Sequence, residues 1–218
     1  MLVCLVPVLI GFAAPAAYLV HQAWRRFAFA GIPARIWTEA WQTATLALSA
    51  TVIAVCLGML VSAAPRFSNS RVTRVAVRLS TLGYAVPGTI LAIGLLPVII
   101  FADRQLTTVL GWFMDEAPKL ILLGAGAALI YAYVARFLAI AAGGIEAGMT
   151  RVPVTFDHAA RSLGRSPSGV FRQIHLPLSR ASMVAAGLLI FVDCVKELPA
   201  TLLLRPLNVE TLATHLYG

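Results

Sequence analysis

Charge is what this chain has least of. Only 12% of its 218 residues are Asp, Glu, Lys or Arg, against roughly a quarter in a soluble domain, while 60% are hydrophobic and the mean hydropathy is +0.86. That excludes an ordinary soluble domain and indicates an integral membrane protein. Acidic residues are scarcer than basic ones, 9 against 17, which leaves a net charge of +8. Such an excess also suits nucleic acid, but these Lys and Arg residues fall between long apolar runs, as they do in cytoplasmic loops, so lipid and not nucleic acid is the expected surrounding. The three cysteines, Cys4, Cys56 and Cys194, lie inside apolar runs without metal-type spacing and read as small buried hydrophobes. No Gly-x-x-x-x-Gly-Lys-Ser/Thr loop, no His-Glu-x-x-His and no nucleophile elbow is present. The chain is therefore not read as an enzyme, no cofactor or metal is assigned to it, and any energy source lies on another chain.

What is abundant is apolar sequence in lengths that cross a bilayer. Residues 1–24 hold no charged side chain, and Leu2–Val20 reads as a first span, favoured over a cleaved signal peptide because a basic leading segment is missing. The 25-residue uncharged run Ala40–Ala64 is a second span, followed by a loop with Arg66, Arg71, Arg74 and Arg78 and no acid. Leu79–Ala102 is a third, in which Pro87-Gly88 predicts a bend. Asp103, Arg104, Asp115, Glu116 and Lys119 then make a slightly acidic outer loop. Leu120–Ala142 is a fourth span with Arg136 snorkelling from its inner end, and Ala181–Leu204 is a fifth. The expected fold is an all-α polytopic bundle of about five helices forming one domain. An N-terminus-inside topology puts ten Lys and Arg inside and six outside, a modest positive-inside bias.

The longest polar interval, 143–180, separates the last two spans and is predicted to be cytoplasmic. Thr155 is placed to cap a helix over 156–163, with Asp157 favourably set in its first turn and Gly164 as its left-handed stop. Ser166 and Pro167 then open a second helix, in which Val170, Phe171 and Ile174 make one apolar face before Pro177 closes it. Two short helices at a sharp corner suit insertion into a groove of a partner, with an interfacial loop lying on lipid as the alternative.

Ala159-Ala160, Gly164, Ile174 and Leu176-Pro177 have the spacing of the EAA motif, and the interval resembles that loop in the permease subunits of binding-protein-dependent ABC importers. His158 stands where that family carries Glu, with Asp157 beside it. The resemblance implies that Asp157, His158, Ala159, Ala160, Gly164, Arg165, Val170, Phe171, Ile174, Leu176 and Pro177 dock a cytoplasmic ATP-binding subunit, with Arg165 to Gln173 forming the contact. Asp193-Cys-Val-Lys-Glu-Leu-Pro-Ala-Thr-Leu-Leu-Leu-Arg-Pro206 and Tyr84-Ala-Val-Pro-Gly-Thr-Ile-Leu-Ala-Ile-Gly94 are similar to the second half of ferric-iron transport permeases. That family implies a bacterial inner membrane location, Mg-ATP on the partner ATPase, a second permease half or an identical copy, and a periplasmic substrate-binding protein. It also implies one further helix after residue 218.

Asp193, Lys196 and Glu197 fall inside the predicted fifth span, where unpaired charge is costly. A Lys196–Asp193 pair is feasible at three-residue spacing, while Glu197 needs a partner on another helix, water or a proton, and Pro199 loosens the backbone just beyond. Two readings remain open: these four residues line or gate a translocation path, in the importer or in a stand-alone channel or secondary transporter, or they form an internal salt bridge that fixes packing. Thiamine, sulfate and polyamine remain alternatives to iron as cargo, and an inactive permease fragment remains an alternative to a working subunit.

Overall fold

The computed structural model describes residues 6–31, 33–67, 70–113 and 120–217. Cys4, Asp115, Glu116 and Lys119, and the Leu2 start assigned to the first span, lie outside the described residues. The chain divides into two compact units, Met1–Glu39 and Ala40–Gly218. The described residues form helices and turns only, and five stretches are long and apolar enough to cross a membrane.

In the first unit, α1 (Ala14–Ala30) is preceded by a π turn, Leu9–Ala13, and ends at Gly31 with φ 66°. The π turn sits just ahead of Pro15, whose ring and missing N–H are incompatible with regular α-helical bonding to the preceding turn. The side chains of this stretch point outward on all sides, with Ile10, Phe12, Leu19 and Val20 exposed, as suits a lipid-facing helix.

α2 (Ala34–Phe67) carries the uncharged run into the second unit, where it packs parallel to α5 (Ala127–Met149), with Leu46 near Gly126, Gly58 on Ala141 and Arg66 at Met149. The two backbones come close because the contacts are small. A Cβ on Gly58 would overlap Ala141, and the Ser62 hydroxyl donates to Gly58 O at 2.7 Å and Ala142 O at 2.8 Å. Ala47, Ala50 and Ala54 of α2 join Leu129, Ala132, Tyr133 and Phe137 of α5 in the core. α5 is the central helix, with half of its apolar window buried.

The third crossing differs from the single span expected over 79–102. A separate ten-residue helix, α3 (Arg71–Ser80), is followed by a 3-10 turn at Gly83–Ala85, and α4 begins only at Gly88 and runs to Leu110. Pro87 does not bend a helix; it is the N-terminal flanking residue of α4, in extended conformation. Asp103, expected in a loop, is inside α4 and buried, where its carboxylate accepts from the backbone N–H of Ile121 (3.0 Å), Leu122 (2.6 Å) and Leu123 (3.3 Å). That tether holds 121–123 in turns, and Gly126 at φ 76° starts α5 seven residues later than Leu120. The fourth crossing consequently runs to Met149 and absorbs residues 143–149 of the interval read as a loop.

The rest of the chain comprises α6 (Val154–Ser162), α7 (Pro167–Val170), a π turn (Phe171–His175), α8 (Leu176–Lys196), α9 (Pro199–Leu204) and α10 (Leu212–Tyr217). α7, the π turn and α8 are one helical run, Pro167–Lys196. Pro177 therefore does not close a helix. It sits two residues past a π turn, as Pro15 does, and the wider turn absorbs the hydrogen bond that the proline cannot give.

Candidate functional site

The corner at residues 154–167 is built from local signals. Pro153, extended at φ −60° and ψ 139°, sets the start of α6, and no side chain caps it, so Thr155 falls in the first turn and does not cap. At the other end Gly164, φ 78°, donates to Arg161 O (2.9 Å) and Arg165 N donates to Ala160 O (3.0 Å), the paired bonds of a Schellman stop. Ser166 Oγ then accepts from Gly169 N at 3.3 Å and Pro167 occupies the first turn, as expected.

A charged cluster fastens this corner to the bundle. Asp157 is buried, with Oδ1 2.9 Å from Nε2 of the fully buried His175 and Oδ2 3.4 Å from Arg66 Nη1. Arg66 Nη2 donates to Met149 O (2.6 Å) and Val152 O (3.2 Å). One guanidinium at the end of α2 thus holds the end of α5 and the start of α6, while the carboxylate it meets reaches the π turn. Breaking such a buried charged network by removing one partner costs about 3–5 kcal/mol.

The helix faces follow from this. Asp157, Ala160 and Val170 point inward, Phe171 and Ile174 are half-buried, and Phe171 packs on the cluster of Met59, Ala63, Ile145, Met149 and Ala186. The Val170/Phe171/Ile174 face, expected to be presented outward, covers the bundle instead. His158, Ala159, Gly164, Arg165, Leu176 and Pro177 are exposed. So are Phe156 (49%) and Leu163 (82%), which with Ala159 recur at three- and four-residue spacing along the outer face of α6.

A second cluster lies in the middle of the bundle. The crossing expected to run unbroken to Leu204 stops at Lys196; Glu197 has ψ 108°, and α9 restarts at Pro199. Lys196 Nζ is 2.7 Å from Asp193 Oδ1, the pairing expected from the spacing. Glu197 finds its partner on another helix, with Oε2 3.6 Å from Arg136 Nε, while its Oε1 accepts from Ala200 N at 3.5 Å. Arg136 turns inward to this carboxylate and does not snorkel outward, and its Nη1 also donates to Val86 O at 3.4 Å. A Cβ on Gly88 would fall on both Arg136 Nη1 and Glu197 Oε1. The break between α3 and α4 and the break between α8 and α9 therefore meet on one arginine of the central helix. Below it the Thr201 hydroxyl donates to Glu197 O and lies 2.6 Å from Tyr133 Oη.

Both clusters fall inside the region that the family of binding-protein-dependent transport system inner membrane components matches, residues 54–206. The chain belongs to this family. Its five apolar helices accord with a multi-pass membrane permease of the ABC type. Over 166 residues, 76% of its length, this permease is 30% identical to the protein of Haemophilus influenzae named Fe(3+)-transport system permease protein FbpB 2. It spans 29% of that relative's length.

Within the permease, sequence reasoning brought Asp193 and Lys196 together correctly and left Glu197 in need of a distant partner. It missed Arg136, Gly88 and Tyr133 around that carboxylate and Arg66 and His175 around Asp157. Arg136 carried a signal, since a lone arginine deep in an apolar run is costly without a partner. His175 carried only its place in Ile174-His-Leu-Pro177. Sequence reasoning also missed Leu163, the most exposed large apolar side chain of the corner, for which the Phe156, Ala159, Leu163 spacing was the signal.

Proposed function

We propose that this chain is the transmembrane subunit of an ATP-driven importer of the bacterial inner membrane, with ferric iron as its cargo. A separate ATPase binds Mg-ATP and hydrolyses it. A periplasmic binding protein delivers cargo, and a second permease half or another copy completes the path. The observation that carries the reading is the corner at Gly164: a short helix with an outward apolar strip, locked to three crossing helices by one buried cluster. A push on the strip is transmitted to the ends of α2, α5 and α8 through Arg66, Asp157 and His175. The ATPase meets Phe156, His158, Ala159, Leu163, Gly164 and Arg165, while Asp157, Ala160, Val170, Phe171 and Ile174 hold the corner rigid, and Leu176 and Pro177 border the contact. Iron as cargo is supported by the named role of the Haemophilus relative.

Asp193, Lys196, Glu197 and Pro199 form the mid-bundle gate, in which Arg136 is the fixed point and the two helix breaks are the parts that move. Co-purification with a cytoplasmic ATP-binding subunit tests the reading. Leu163→Asp and Gly164→Pro should abolish capture while the permease stays folded in detergent. Capture indifferent to both changes would refute the docking assignment. Uptake that continues without ATP would favour a stand-alone channel or secondary transporter.

A further inference from the structure

α3 has three faces. At about 100° per residue, Thr73, Val77 and Ser80 share one side and are half-buried against the bundle. Val72, Val75 and Leu79 share a second and are 78%, 54% and 59% exposed. Arg71, Arg74 and Arg78 share the third, all exposed, and line a shallow cleft with Val75. No carboxylate among the described residues pairs with any of the three.

The position of α3 makes that basic face unusual. Arg66, just before it, bonds to Met149 O at the loop end of α5, while Gly83, just after it, packs so closely on α5 that a Cβ would strike the Ala135 carbonyl. Ala135 and Met149 are fourteen residues apart in one helix, a height of about 21 Å at about 1.5 Å per residue. The chain climbs that height between Arg66 and Gly83, and α3 itself, about 15 Å long, supplies most of it. It therefore rises beside α5 as the loop-side half of the third crossing, with Arg74 about 5 Å and Arg78 about 10 Å above Arg71. Arginine facing hydrocarbon at such depth is costly, and such residues turn to water or a counter-charge. The Val72, Val75, Leu79 face is apolar and exposed and suits lipid, which leaves the basic face for water. Gly83, in the turn after α3, packs on Ala135 next to Arg136, so the ladder leads up to the Arg136–Glu197 pair beside the two helix breaks.

We propose that Arg71, Arg74 and Arg78 line the aqueous path on the loop side of the mid-bundle cluster, and that cargo passes them as an anion. A metal ion would pass this segment together with anionic ligands that outweigh its charge, not bare. The proposal rests on the permease reading above and names the charge class of what the path conducts.

The test uses the assembled transporter in vesicles, with Cys4, Cys56 and Cys194 replaced by Ala and one cysteine introduced as Arg74→Cys, Arg78→Cys or Tyr84→Cys. The last leaves all three arginines in place. Two membrane-impermeant thiosulfonates of similar size, one bearing a sulfonate and one a quaternary ammonium, are applied from the loop side. All three sites should label, the sulfonate about tenfold faster than the ammonium, and Arg71→Gln should shrink that preference. Val72→Cys should stay unlabelled. No labelling at the three sites, or a preference for the ammonium reagent, overturns the proposal. So does sulfonate labelling that slows when anionic phospholipid replaces zwitterionic lipid, which would assign the face to headgroups. Labelling needs no ATP, so an importer reading that fails through absent ATP-driven uptake would leave this result distinguishable.

Discussion

Replacing Arg136 by Gln removes the side chain of the central helix that reaches both helix breaks, and the structure gives the scale of the effect. The pair with Glu197 is mostly shielded, the two side chains being 20% and 9% exposed, with Nε and Oε2 3.6 Å apart. Uncovering one member of a buried pair costs about 3–5 kcal/mol. Here two features reduce that cost: the separation is longer than a hydrogen bond, and Ala200 N remains 3.5 Å from Oε1. The expected loss for Arg136→Gln is therefore about 2–4 kcal/mol, with a similar loss for Glu197→Gln. The double variant leaves no orphaned charge and should cost less than the two single losses together, with a coupling of about 1–3 kcal/mol. Reversible unfolding of the purified permease in mixed detergent, followed by tryptophan fluorescence, measures all three. Losses that add within about 0.5 kcal/mol would show that the pair does not hold the breaks together.

Other consequences follow from the same geometry. Gly88→Ala sets a Cβ on Arg136 Nη1 and Glu197 Oε1 and should mimic Arg136→Gln in the same unfolding experiment. Asp103→Ala leaves three backbone N–H groups at 121–123 without their acceptor and should cost about 2–4 kcal/mol, read as a lowered melting temperature in detergent. Gly164→Ala forces a side chain into φ 78° at a cost of about 1 kcal/mol and should loosen the corner, seen as faster hydrogen exchange at Gly164 and Arg165. His175→Ala removes the ring from Asp157 and should speed exchange through Val154–Ser162 while leaving α5 protected.

The number of crossings was legible because an apolar run about twenty residues long has few alternatives. Where they begin and end was less so. Leu79 and Leu120 looked like span starts because hydropathy does not register a buried carboxylate binding three backbone amides, which is what Asp103 does, or a 3-10 turn pressed onto a neighbouring helix, as at Gly83. The corner was read well where its signals were local, as at Gly164, Ser166 and Pro167. It was misread where the deciding contact lay far away in sequence: Val170 and Phe171 look like a presented face until α2 and α5 are laid beneath them. Glu197 was flagged by its cost in a membrane, but its partner is sixty-one residues earlier, beyond any helical periodicity.

The most direct test of the account is uptake of ferric iron into vesicles holding the permease reconstituted with a cytoplasmic ATPase and a periplasmic binding protein, measured alongside ATP hydrolysis. The account predicts uptake that requires ATP and that falls together with stimulated hydrolysis in Leu163→Asp. Uptake that proceeds without ATP, or that is untouched by Leu163→Asp while hydrolysis continues, would contradict it.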